Sequence, residues 1–353
     1  MRLSVFILLF IIFGAILLVF LVHPQVIFNN LGYVYVLKAQ LNAPNETTLS
    51  WLDGAERLFN ILVRRDLADA STWIGLSRLA LLRGDDDQSA EYLHNALTID
   101  ADDPIANALM GDLAVHDDSN LAFEYYMRSK FYKKAVRLAQ ESANQLRWDE
   151  AYKRFKHLYD AGVDLPQVTT GVGQALLYQT GDLNQAMPWF EMAFRDQPKY
   201  VWSYIYLGDY YLTQNQSQQA FAWYLAANKA NPEHEWPYIY LGSLYVSKKN
   251  TLQACYCYQK AIDINSTNPS AYGGLARCLA LSGELSRAFD AAQRAVELAP
   301  DKAWTHLLLG QLLRQQGRYD LAKAEIEQAL DINPGDMMIL NELEIIVNQL
   351  ENR

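Results

Sequence analysis

Cysteine is nearly absent: Cys255, Cys257 and Cys278 are the three in 353 residues. Three build no disulfide framework. Cys255 and Cys257 are two apart on an expected helix, so they point about 200° apart and cannot chelate one metal together. All three read as small apolar core residues. Runs of lysine and arginine are also missing, and 40 acidic against 30 basic residues leave a formal charge of −10. Binding to a phosphate backbone needs a basic stripe, so nucleic acid is not expected as a partner. The six histidines, His23, His94, His116, His157, His234 and His306, are scattered, without a His-x-x-x-His or His-Glu-x-x-His spacing. No strand is expected, hence no strand-borne glycine-rich phosphate loop. Asp85-Asp86-Asp87 lacks the alternation and closing Glu of a calcium loop, and is read as the N-cap of a second helix. No nucleophile stands beside a base. Catalytic residues, cofactors and metals are therefore not expected, and the chain reads as non-enzymatic.

What is present begins with one long apolar run. Residues 3–22, LSVFILLFIIFGAILLVFLV, carry no charge. At about 1.5 Å of rise per residue, twenty residues span about 30 Å, the thickness of a bilayer's hydrocarbon core. The run is longer than the apolar part of a cleavable signal and meets His23-Pro24-Gln25 rather than a small-x-small site, so an uncleaved transmembrane anchor is expected. Arg2 precedes it, and Lys38 is the first charged side chain after it. The positive-inside rule then places the N-terminus in the cytoplasm and the remaining chain outside it. Residues 23–50 are expected to be a juxtamembrane connector. Val26-Ile27-Phe28 and Tyr33-Val34-Tyr35-Val36-Leu37 suit a lipid–water boundary or packing on the first repeat, and Asn42-Ala43-Pro44-Asn45 is a breaker cluster.

The rest is dominated by one period. Leu207, Leu241, Leu275 and Leu309 are 34 residues apart, and the same step links Ala220, Ala254, Ala288 and Ala322 and also Ala227, Ala261, Ala295 and Ala329. A fixed step of this size signals stacked repeats. With each unit numbered 1 to 34, residues 201–234 place Tyr204 at 4, Leu207 at 7, Gly208 at 8, Tyr211 at 11, Ala220 at 20, Tyr224 at 24, Ala227 at 27 and Pro232 at 32. The first four share one face of a first helix, and 20, 24 and 27 share one face of a second. Proline at 32 ends that second helix. The register divides 51–336 into a lead-in helix at 51–66 and about eight units: 70–103, 104–131, 132–166, 167–200, 201–234, 235–268, 269–302 and 303–336. The step falters in 104–166, where a kink or altered curvature is expected. Residues 337–353 are expected to cap the array with a final helix.

This pattern resembles the tetratricopeptide repeat. The resemblance implies an all-α fold, a right-handed superhelical solenoid of antiparallel helix pairs, here preceded by the transmembrane helix. It also implies a concave groove that takes a peptide or partner protein, lined by first-helix positions 2, 5, 9 and 12. Position 2 carries Trp202, Trp236 and Trp304. Position 9 carries Asp209, Arg277 and Gln311, and position 12 carries Tyr178 and Arg314. Tyr206 and Tyr240 border the groove at position 6. These ten are the candidate partner-binding residues; packing across the inter-repeat seam is the alternative for the tryptophans. Tyr204, Tyr211, Tyr224, Tyr238, Tyr245 and Tyr258 fall on core positions. The family's clamp for chaperone tails needs Lys at position 5, which here holds Ile74, Gly171, Ile205, Ile239, Gly273 or Leu307, so that ligand is not expected. The expected function is a membrane-tethered scaffold for protein–protein interaction, in a layout that resembles envelope- and polysaccharide-assembly proteins. The alternative is the non-catalytic repeat subunit of a glycosyltransferase or ligase complex.

Overall fold

The computed structural model describes residues 24–41 and 46–351. The expected transmembrane segment, 3–22, lies outside the described residues. Among the described residues there are nineteen helices and no strand, and no helix is long and apolar enough to cross a membrane. They divide into two compact units, with the division in the chain between Gly171 and Val172.

The first unit contains α1 (Pro24–Gln40), α2 (Glu46–Arg64), α3 (Ala70–Arg83), α4 (Asp86–Ile99), α5 (Pro104–Ala114), α6 (Ser119–Arg128), α7 (Tyr132–Asn144) and α8 (Trp148–Asp160). Most of the connector expected at 23–50 is α1, packed on α2 and α3, as the alternative of packing on the first repeat has it. Three- and four-residue spacing gives α1 an inward face that buries Asn29, Val36 and Ala39. Tyr33 meets the Phe59 ring edge-on at 5.6 Å and donates its hydroxyl to the Ser71 carbonyl at 2.6 Å. Asn29 donates to Asp69 and Ser71. Val26, Leu31, Val34 and Leu37 face outward, exposed. The breaker cluster at 42–45 falls outside the described residues. Of the acidic run, Asp85 caps α4 by accepting the Gln88 amide at 3.0 Å.

The faltering step at 104–131 has a simple cause. The pair α5 and α6 has 11 and 10 residues, against 14 and 14 in α3 and α4, so each helix has lost about one turn. The seam beside it is tied by a buried arginine. Arg154 on α8 is 4% exposed. It donates to the Leu138 carbonyl and Ser142 hydroxyl of α7, and to Ser119 and Asn120 at the start of α6. It also pairs with Glu150 at 2.6 Å and lies 5.5 Å from the Phe123 ring.

Helix α9 (Pro166–Thr180) carries the boundary between the units. The second unit continues with α10 (Leu183–Asp196), α11 (Trp202–Thr213), α12 (Ser217–Ala230), α13 (Glu235–Ser247), α14 (Thr251–Ile264), α15 (Pro269–Leu281), α16 (Leu285–Leu298), α17 (Ala303–Gln315), α18 (Tyr319–Ile332) and α19 (Met337–Glu351). Its core follows the register. Alanines at positions 20 and 27, from Ala186 and Ala193 to Ala322 and Ala329, are all 0% exposed. Tyr224 and Tyr258 are buried as core positions require, whereas Tyr204, Tyr211, Tyr238 and Tyr245 are half-buried. The turn inside each pair has its own 34-residue beat of positive φ: Gly181, Asn215, Lys249, Gly283 and Gly317, at 58–83°. Glycine is the residue that takes this conformation without strain. The terminal helix α19 covers the last pair with Ile339 and Ile346, both buried.

Position 8 shows why a small residue is needed there. A methyl group added at Gly208 would lie 2.3 Å from the Tyr224 ring. Gly208→Ala gains about 1 kcal/mol of helix propensity, but overpacking a closed core costs about 1–3 kcal/mol. The ring cannot swing aside, since its hydroxyl is bonded to Asp209. A lower thermal midpoint is therefore expected for Gly208→Ala; an unchanged or higher one would show that the ring yields.

Candidate functional site

The ten sequence-derived residues all fall in the second unit, and six of them gather at one place. Trp202 opens α11 and Trp236 lies in the first turn of α13, the next first helix. Their ring centroids are 5.4 Å apart with the planes tilted by 48°. One turn along each helix, Tyr206 lies 5.8 Å from Trp202, and Tyr240 lies 6.1 Å from Trp236. The four rings are half-buried and make a continuous aromatic wall across two repeats. Period and helix pitch together create it: position 2 meets position 2 of the next unit, and position 6 follows one turn later.

At the edge of this wall sits a carboxylate. Asp209, half-buried on α11, accepts the Tyr224 hydroxyl at 2.5 Å. Tyr224 also packs on Tyr240, with centroids 5.0 Å apart. Burial pushes the Asp209 carboxyl up to about 6, opposed by that one hydrogen bond. Burial also pushes Tyr178 and Tyr206 up to about 12, and the Asp209 charge adds to both shifts. Tyr224 and Tyr240 rise further, again from burial first and then Asp209. The Asp209 charge is thus felt by Tyr178 from α9, Tyr206 from its own helix and Tyr240 from α13, as well as by Tyr224 from α12, which Asp209 touches. Among the described residues it forms no ion pair, whereas eighteen other pairs are made.

An acid with a raised folded pKa weakens its fold as pH rises. The unfolded carboxyl ionises near its usual value of about 3.9, while the folded one stays protonated to about 6. The penalty is therefore nil below about pH 4, grows between 4 and 6, and is constant above. Two pKa units cap it at about 3 kcal/mol, and partial exposure reduces that to about 1–2 kcal/mol. Asp209→Asn is expected to match the parent's midpoint at pH 4 and exceed it at pH 7. Melting curves across that range check the sign; a variant less stable at pH 7 would remove the argument.

The other four residues go elsewhere. The Trp304 ring lies over Gly273, where an added methyl would stand 2.6 Å from it, so this indole fills the seam between α15 and α17. Arg277 and Gln311 line a shallow pocket of about 560 Å³ with Val246, Leu281 and Leu308. Arg314 donates to the buried Glu342 carboxylate on α19 and so fastens the terminal helix. Sequence reasoning missed two participants. Tyr224, assigned to the core, is the hydrogen-bond partner of Asp209. Tyr200, just before α11, is half-buried, and burial raises its phenol. Its place outside the helix left it without a register position.

The cysteines also need correction. Cys255 on α14 and Cys278 on α15 are disulfide-bonded, with Cα atoms 5.5 Å apart, and only Cys257 is a free, buried thiol. Among the described residues no three His, Cys, Asp or Glu side chains gather as a metal site. His306 is taken up by Glu325 and the Pro300 carbonyl.

Tetratricopeptide-repeat family models match residues 52–104, 241–303 and 282–338. Those stretches of the chain are tetratricopeptide repeats. No curated protein matches it. Among solved structures it is similar to YrrB, described as a TPR protein with an unusual peptide-binding site, at 20% identity over 53% of this chain and 96% of that one, with a TM-score of 0.38. MamA shares 20% identity over 46% and 94% of the two chains, at a TM-score of 0.39. The APC/C hetero-tetramer Cut9–Hcn1 shares 16% over 93% and 79%, at 0.46. Tetratricopeptide-repeat proteins in general mediate protein–protein or peptide interaction.

Proposed function

We propose that this tetratricopeptide-repeat protein is a non-enzymatic, membrane-tethered scaffold that holds a peptide or partner protein on the first-helix face of its second unit. The observation that carries the reading is the aromatic wall of Trp202, Tyr206, Trp236 and Tyr240 beside an uncompensated carboxylate. Tryptophan and tyrosine concentrate interface energy, and these four pack one side on the core while leaving the other half-exposed side by side. The apolar run at 3–22 supplies the tether, and tethering raises the partner's effective concentration at the membrane without chemistry. The Cys255–Cys278 disulfide favours an oxidising compartment, which agrees with the outward orientation drawn from Arg2 and Lys38. Assembly of the cell envelope is the setting such a layout suits.

Two measurements test this. A topology reporter fused after Arg353 should be active only outside the cytoplasm; activity inside would end the localisation part. Partner recovered from detergent-solubilised membranes with the parent should be lost with Trp202→Ala/Trp236→Ala at an unchanged melting temperature. Undiminished capture would show that the wall is not the contact.

A further inference from the structure

We propose that the aromatic wall and Asp209 form a site for a cationic side chain, arginine or lysine, presented by the partner polypeptide. This deepens the peptide-binding reading above and rests on it.

The chain itself contains the filled version of this arrangement. In the first unit, Asp112 stands at the same repeat position as Asp209. It accepts the Tyr126 hydroxyl at 2.8 Å, as Asp209 accepts that of Tyr224. Both tyrosines are fully buried. Asp112, however, has a cation. Lys134, from the next first helix, places Nζ 2.6 and 2.7 Å from its two carboxylate oxygens and 5.3 Å from the Tyr126 ring. The ammonium thus satisfies the acid and lies near the ring that holds it.

At Asp209 the next first helix brings Trp236 and Tyr240 instead of a lysine. The groups that face the acid are Tyr178, Tyr206, Tyr224 and Tyr240, none of them positively charged. One hydrogen bond occupies one of the carboxylate's roughly four lone-pair positions. What remains is a half-buried acid with no ion-pair partner among the described residues, set beside tyrosines, a side-chain type whose rings attract cations. A guanidinium or ammonium brought from outside would complete the same triad that Lys134 completes within the chain. The wall runs on from Asp209 across α11 and α13 to Trp202 and Trp236, further than a lone ammonium head group would need. That favours a side chain with flanking polypeptide as the occupant.

The test uses the full chain in detergent and arrays of nonapeptides with a fixed central Arg, Lys, Gln or Glu, flanked by randomised Ala, Gly and Leu. Peptides centred on Arg or Lys should bind at least fivefold more tightly than those centred on Gln. That preference should grow from pH 5 to pH 7, as the Asp209 carboxyl ionises. Asp209→Asn should abolish the preference and bring Arg- and Lys-centred peptides down to the affinity of Gln-centred ones, since the amide still accepts from Tyr224 but carries no charge. Trp202→Phe/Trp236→Phe should weaken all peptides while keeping the order. A preference that survives in Asp209→Asn, or equal binding of Gln and Arg centres, would overturn the inference and leave the groove reading standing. Tetramethylammonium that binds as tightly as the Arg peptide would replace a polypeptide with a small molecule. Failure of every peptide would instead remove the groove reading itself.

Discussion

Arg154→Ala is expected to destabilise the first unit by about 3–5 kcal/mol, the usual cost of removing one member of a buried ion pair. The guanidinium is 4% exposed and serves five groups on three helices. Truncation leaves Glu150 with Arg147 alone, leaves the hydroxyls of Ser119 and Ser142 without their donor, and opens a void beside Phe123. Burial alone disfavours the charged form and lowers the guanidinium's pKa, so the site holds only while its acceptors are in place. Arg154→Lys should recover little, because one ammonium cannot reach both α6 and α7 in the fork geometry. Arg154→Met/Glu150→Gln should recover much of the loss, since it removes the charge together with its partner. Urea titration followed by circular dichroism checks the order: Ala and Lys low, the double variant near the parent. Equal midpoints for Ala and parent would mean that the network contributes no net stability.

Reduction of Cys255–Cys278 is the second large effect expected, at about 3 kcal/mol for a loop of this size. The bond closes 23 residues and clasps the second helix of one pair to the first helix of the next. Thiol titration gives the direct check. Protein isolated from membranes and denatured without reductant should expose one thiol, Cys257, and three after reduction. In the native state even that one should react slowly, because burial pushes its thiol up to about 11. A melt with dithiothreitol should then shift to lower temperature, and Cys278→Ser should show the lower midpoint without reductant. Three thiols before reduction would place the chain in a reducing compartment and count against the proposed outward orientation.

The legible and illegible parts divide on a physical line. Contacts within one repeat depend on helix pitch, so Leu207, Ala220, Tyr224 and Ala227 could be placed in the core from spacing alone. Contacts between copies of one position follow from the period, which is why Trp202 and Trp236 were found together. The remainder depends on how neighbouring helices stack. Cys255 and Cys278 sit at unlike positions of successive units, so no period links them. Arg154 is one residue among thirty basic ones until its acceptors converge from α6 and α7. Asp209 was legible as a first-helix residue, but its tyrosine ring and its missing counter-charge were not. Residues 24–40 were hidden for another reason. Their helix lies 34-step out of register with α2, because the chain between Gly32 and Phe59 is longer than that between Gly208 and Tyr224, though each glycine faces the ring.

The contact of Trp202 with its own counterpart, Trp236, also sets a rule for growth. A side chain that touches its copy one unit later makes a surface that lengthens whenever the unit is duplicated in register. Ser270 breaks that series at the next unit, and Trp304 resumes it only to be taken up by Gly273. Insertion of a further copy of residues 201–234 would extend the wall by another counterpart of Trp202, of Tyr206 and of Asp209 together. The partner's length, rather than its affinity at any single point, would then be the quantity on which selection acts.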